Sequence, residues 1–292
     1  MFANPEDREH EVIKTLCCIK TFVSWNSEKV ARICRERCGG GTYLLVNRVG
    51  LGIGGAHSGM TAEGDNSVLM QKVVKDILQH DQEGLHVVPP VSDATKAWLA
   101  STNDITEFVA LKNLIFMKEA IEIEHMKATM QSHVLEQGKK FFEVWTTLVS
   151  DDILGLSHAF GERFFLQAAC NALDNDCVHP GAHKLLERYI YLHMVTVVIE
   201  NLGWYLRHGI ITAAAAKSLA DHKNSAVKDC MPYLNDAIEA LGCTREAQYH
   251  APIARDYIAF NNQPAFDDVT QAGEIMDFTK VATQQSLYKA RL

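Results

Sequence analysis

The stretch CGGGTYLLVNRVGLGIGGAHSGMTAEGDN, residues 38–66, holds the residue types most able to do chemistry in this 292-residue chain. A glycine cluster at a helix end lets backbone N–H groups come close to a ligand. A helix starting near Asp65 aims its own amides and positive dipole end at the same region, which suits a phosphate-bearing ligand. Glu63 stands just before that helix, beside Gly64, so its carboxylate projects from a turn and not from a solvated helix face. On spacing alone the plainer reading stays open: Glu63 favours the helix start electrostatically and the glycines shape a loop. No strand precedes the glycines, as a dinucleotide fingerprint requires, and no Lys-Ser/Thr follows them, as a P-loop requires.

Other reactive types are scattered. Among eight cysteines the close pairs are Cys17/Cys18 and Cys34/Cys38. The spacing of four puts Cys34 and Cys38 on one helix face, which permits a metal or redox role. No second pair completes a site, so buried, inert thiols in a reducing compartment are expected. Glu122, Glu124 and His125 resemble half of a carboxylate-bundle metal site, but the E-x-x-H unit does not recur on another helix, so no metal is expected. Pro180 and Gly181 between His179 and His183 point to a loop carrying a surface pair. Trp204, Tyr205 and His208 read as core packing, and Arg207 as a solvated helix-end charge.

The elements that must position these residues are helical. Over 9–38 the residues Val12, Leu16, Ile19, Val23, Val30 and Ile33 recur at helical spacing, and Gly39 to Gly41 stop the pattern. Residues 42–60 read as Gly-rich and irregular, 65–80 as helix, and 82–93 as a linker or packed loop. Residues 103–173 form two or more long helices interrupted at Gly138 and near Asp151. Further helices follow over 181–207, over 213–241 with Thr212 as N-cap and Gly242 at the stop, and near 253–260. No alternating strand pattern appears, so the class is all-α.

CRERCGGGTYL over 34–44, MTAEGDNSVLMQKVVKDIL over 60–78, NLGWYLRHGIIT over 201–212 and APIARDYIAFN over 251–261 are similar, in order, to blocks of the acyl-CoA oxidase family. This resemblance implies a partial acyl-CoA dehydrogenase-type helical bundle followed by the oxidases' carboxyl-terminal helical domain. The expected division is a bundle segment over 1–81, a linker over 82–102 and the second domain over 103–292. By position, Glu63 takes the family's catalytic base, which removes the α-proton of a fatty acyl-CoA while the β-hydrogen leaves as hydride to FAD, oxygen then giving hydrogen peroxide. Gly39 and Gly40 are implied to lie against FAD across a dimer interface, and Gly64, Asp65 and Asn66 beside the flavin nucleotide. The family often has Gly where this chain has Thr42, and an aromatic where it has Ala62. Neither change removes a reacting group, but Thr42 restricts the backbone at the flavin contact.

Full-length members carry, ahead of this region, an amino-terminal helical domain, a β domain and the first bundle helices. The resemblance therefore implies a homo-oligomer, or a complex with a chain supplying those parts, that covers an apolar stripe. Two functions follow from it: an acyl-CoA oxidase of fatty acid β-oxidation, or a catalytically inactive oxidase-like structural subunit of a larger assembly. The closing Ala290-Arg291-Leu292 fits the small-basic-Leu peroxisomal address, and another organelle goes with the assembly-subunit reading. A formal charge of -8 without a basic cluster argues against nucleic acid as a partner. The acidic start MFANPEDREHE resembles neither a secretory nor a transit signal, suggesting an intracellular chain, and no apolar run reaches the length of a spanning helix.

Overall fold

The computed structural model describes residues 5–174, 178–242, 252–254 and 256–262, and among them every regular element is helical. Helix α1 (Pro5–Arg37) ends where Gly39 takes φ 80°, a conformation a Cβ would disfavour. Two 3-10 turns, Gly40–Tyr43 and Leu45–Asn47, lead into α2 (Val49–Thr61). This helix corrects the expectation of an irregular 42–60. Glycines at 50, 52, 54, 55 and 59 mask a helical pattern because each lowers propensity by ~1 kcal/mol, yet none breaks the backbone hydrogen-bond ladder as proline does.

Helix α3 (Asn66–Gln82) is followed by α4 (Asp93–Leu99), whose N-cap Ser92 accepts from the Thr95 amide at 3.2 Å. That short helix lies inside the stretch read as linker. Helix α5 (Phe108–Met130) widens into a π-type turn, Gln131–Glu136, and Gly138 at φ 65° reverses the chain. The brief α6 (Phe141–Glu143) and a second π-type turn, Val144–Leu148, precede α7 (Ser150–Asp174).

Helix α8 (Pro180–Glu200) begins with Pro at its first position, where the missing N–H is not needed, and His179 caps it by accepting from the Gly181 amide at 3.1 Å. His179 and His183 therefore mark a helix start and not the expected loop. Asn201 separates α8 from α9 (Leu202–Arg207). Thr212 caps α10 (Ala213–Cys230) as expected, and Gly242 takes φ 68° at the later stop. Between them the helix breaks at the 3-10 turn Met231–Tyr233, where Pro232 cannot donate, before α11 (Leu234–Ala240). A 3-10 turn, Pro252–Ala254, and α12 (Tyr257–Asn261) complete the described elements.

The chain divides into two compact units. In the first, the described residues of 1–26 and 57–244, two cores form. Leu111, Leu114, Leu166, Met194, Val198 and Leu219 join α5, α7, α8 and α10. Cys18, Met70, Ile77, Met126, Leu156 and Phe160 join α1, α3, α5 and α7. Each large aliphatic side chain so buried contributes ~1.5–3 kcal/mol. In the second unit, the described residues of 27–56 and 245–292, Asn47 donates to the Gly41 carbonyl at 2.6 Å and accepts from the Ile253 amide at 2.9 Å. Among the described residues no helix is long and apolar enough to cross a membrane.

Candidate functional site

Glu63 sits at φ 59°, the left-handed region, which costs a β-carbon-bearing residue ~1–2 kcal/mol. Gly64 follows at φ 104°, and a Cβ there would stand 3.1 Å from the Leu69 side chain. The two residues turn the chain sharply into α3. Asp65 caps that helix, accepting from the Ser67 and Val68 amides at 2.9 and 3.4 Å, so two of its orphan donors are satisfied by the cap.

The turn is anchored from α1. Lys20 Nζ donates to the Gly64 carbonyl at 2.6 Å, to Asn66 Oδ1 at 2.7 Å and to the Met60 carbonyl at 3.4 Å. Asn66, 2% exposed, donates to Ser24 Oγ at 2.9 Å. Glu63 itself is exposed. Glu63, Gly64, Asp65 and Asn66 thus form one anchored turn that presents a carboxylate outward, while the Asp65 and Asn66 side chains are engaged in holding it. Lys20, Ser24 and Thr21 escaped the sequence reading, because only tertiary packing brings α1 beside the start of α3.

Gly39 and Gly40 form a turn of their own in the second unit, and neither has an atom within 4 Å of where a Cβ would stand. Their backbone is open to close approach by a ligand. Thr42 is 1% exposed, and its hydroxyl lies 2.7 Å from the Arg35 carbonyl and 2.6 Å from the Gly39 carbonyl. Its side chain closes the end of α1, adding to the bond its own backbone N–H already donates to the Gly39 carbonyl at 3.2 Å.

The remaining candidates separate cleanly. Cys18 is buried and its thiol is pushed up to about 12 by desolvation; burial also raises Cys17, Cys170 and Cys230. Cys34 and Cys38 are exposed, against the expectation of burial. Cys177, Cys243 and the tail Ala290-Arg291-Leu292 lie outside the described residues. His125 faces Asp152 at 3.7 Å, Glu122 is buried, and among the described residues no group of three or more such side chains could hold a metal. Tyr205 alone of the aromatic trio is fully buried; Trp204 stacks on an exposed His208 at 4.2 Å, and Arg207 is exposed.

A buried ionic cluster was invisible in the sequence. Glu119, 0% exposed, accepts from Arg163 Nε at 2.5 Å and Nη2 at 3.0 Å, and His86 Nε2 lies 2.8 Å from it. Beside it Lys118 Nζ donates to Glu162 at 3.1 Å and Asn201 at 2.7 Å. A cleft of about 370 Å³, lined by Glu11, Lys14, His86, Phe160 and Arg163 among others, opens onto the first group. These paired charges tie α5 to α7.

Residues 2–78 match the family model described as the acyl-CoA oxidase C-alpha1 domain, and residues 112–238 match the acyl-CoA oxidase model. An acyl-coenzyme A oxidase-like protein of Mus musculus is 24% identical over 237 residues, covering 76% of this chain and 36% of the relative. The peroxisomal acyl-coenzyme A oxidase 2 of Arabidopsis thaliana is 25% identical over 240 residues, covering 76% and 34%. The chain spans about a third of the length of these curated relatives. Among solved structures, Arabidopsis thaliana acyl-CoA oxidase 1 superposes with a TM-score of 0.70 at 17% identity, covering 92% of this chain and 43% of that one. Acyl-CoA oxidase-2 of Caenorhabditis elegans, solved with FAD, ascaroside-CoA and ATP, gives 0.73 at 13% identity, covering 97% and 43%. Over the matched part the structures share this helical fold, and with both family models matched in order along it, the chain belongs to the acyl-CoA oxidase family.

Proposed function

We propose that this chain is the base-bearing helical part of an FAD-dependent acyl-CoA oxidase, taking fatty acyl-CoA to trans-2-enoyl-CoA with oxygen as acceptor in fatty acid β-oxidation. The observation that carries this reading is the strained, anchored Glu63, since backbone strain of this kind concentrates at functional positions. The open backbone of Gly39 and Gly40 fits close approach by FAD, and the backbone at Gly64, with Asp65 and Asn66 fixing its course, fits a second contact. Bound FAD supplies a hydride acceptor for the β-hydrogen and a path for the electrons to oxygen, which leaves as hydrogen peroxide. The chain's own part is to hold the Glu63 carboxylate where it removes the α-proton.

A carboxylate working as a general base in this way operates in a dry pocket. Glu63 is exposed, so the proposal requires a further polypeptide segment over it, from a homo-oligomer such as a dimer or from a chain carrying the amino-terminal and β domains. That exposure is also what favours the second reading, an inactive oxidase-like subunit of a larger assembly. The proposed domain division at 82–102 is supported by the stretch between the two family matches. A peroxisomal site is supported by the name of the Arabidopsis relative.

The test is the protein purified with its native partner. Flavin absorbance near about 450 nm, a property of the cofactor, bleached by an acyl-CoA under nitrogen, is expected. Glu63→Gln is expected to cut peroxide formation by ~10²–10⁴-fold with unchanged helical circular dichroism. A colourless complex, or undiminished peroxide output from Glu63→Gln, decides against the enzyme reading.

A further inference from the structure

Among the described residues, the exposed thiols left over by the proposed oxidase site are the pair at the end of α1. Cys38 donates its backbone N–H to the Cys34 carbonyl at 2.9 Å, so the two residues stand one helical turn apart. Four residues of α-helix rise roughly 6 Å, inside the Cα separation of roughly 4.4–6.8 Å that a disulfide spans. Side chains four apart point the same way along a helix with their Cβ atoms roughly 5–6 Å apart, so bridging them requires the backbone at Cys38 to shift until they reach the roughly 3.5–4.5 Å of a disulfide. Both thiols are exposed, whereas Cys18, Cys170 and Cys230 are buried and Cys17 half-buried. Cys38 lies just past the last residue of α1, and Gly39 after it sits at φ 80° with open space around it. The backbone can therefore adjust at Cys38 in a way that a mid-helix cysteine could not.

We propose that Cys34 and Cys38 form an oxidisable dithiol, which hydrogen peroxide converts to an intrachain disulfide across the last turn of α1. One thiolate attacks a peroxide oxygen, breaking the O–O bond and becoming a sulfenic acid, while the departing hydroxide takes a proton to become water. The second sulfur then displaces the sulfenic hydroxyl, forming the S–S bond and releasing a second water. Two thiols are oxidised by two electrons and one peroxide is reduced, so the step balances with no other reactant. The chemistry stands whether or not the chain is part of an active oxidase; that activity is one source of the peroxide. The product staples the residue on which the Gly39–Gly40 turn begins, and thereby restrains the backbone proposed to approach FAD.

The sequence supplies its own assay. Trypsin cuts after Arg32, Arg35, Arg37 and Arg48, which separates ICR, carrying Cys34, from CGGGTYLLVNR, carrying Cys38. After peroxide treatment of the full chain and alkylation of free thiols, the two peptides are expected as one linked species, two hydrogens lighter than their sum, that separates on reduction. It should become the dominant form of the Cys38 peptide. Cys34→Ser is expected to leave Cys38 as a sulfenic acid captured by a 1,3-dione probe, with circular dichroism unchanged. Alkylation of both thiols after exposure, separate sulfinic or sulfonic products on each, or linkage of either to a different cysteine overturns the proposal.

Discussion

At Glu63 the backbone and the side chain ask for different residues. The φ of 59° is comfortable for asparagine or glycine and costly for glutamate, so the carboxylate is held against local preference. Glu63→Asn is expected to stabilise the chain by ~0.5–1 kcal/mol in urea unfolding, by relieving the left-handed strain. A lower midpoint for that variant would show that the strain is not stored at this residue. The position of Glu63 just before a helix starting near Asp65 was legible in the sequence, because it depends on near neighbours; the capping role of Asp65 was not read. Lys20 and Asn66 were not legible as a pair, because their 2.7 Å contact joins residues 46 positions apart. Thr42 reads differently once its hydroxyl is seen to close the end of α1.

At the scale of elements, the join between α1 and α7 carries a pH signature. His158 lies 4.9 Å from Trp25 in a stacked arrangement and 5.5 Å from Phe22. Burial holds its pKa below the ordinary value, Glu162 raising it and Lys118 lowering it by smaller amounts. The unfolded chain therefore binds the proton more readily than the folded one. Stability is fully present above the ordinary histidine value of about 6.5, and is lost as pH falls from there through the folded value. His158→Phe is expected to flatten this acid limb in denaturant midpoints measured against pH. An unchanged limb would assign it to other groups.

Helices such as α1 and α3 were readable because each carries a single apolar stripe, ended in α1 by a glycine stop. α2 was hidden by its own glycines. The break at Asn201 was hidden because that side chain answers to Glu162 and Lys118, neither near it in sequence.

At the scale of the whole molecule, α1 is inverted. Val12, Leu16, Ile19 and Val23 are 51, 59, 36 and 55% exposed, whereas Lys14, Cys18 and Thr21 on the opposite face are 1% exposed or less. A stripe of this kind, repeating at spacings of four, three and four, is the seam by which helices pair. The isolated chain is expected to self-associate in light scattering, and Leu16→Glu with Val23→Glu to reduce it to a monomer with the same helical content. A monodisperse, folded wild-type monomer would remove the argument for a covering segment.

Lys20 is rooted in that same stretch of α1, between Ile19 and the buried Thr21, and its three acceptors fix the turn that carries Glu63. Whatever settles against the outer face of α1 also sets the rod from which the carboxylate hangs. With Glu63 as the proposed base and a partner on that face, a ligand gripping Glu63 is expected to tighten association to the same degree that association tightens its grip on the ligand.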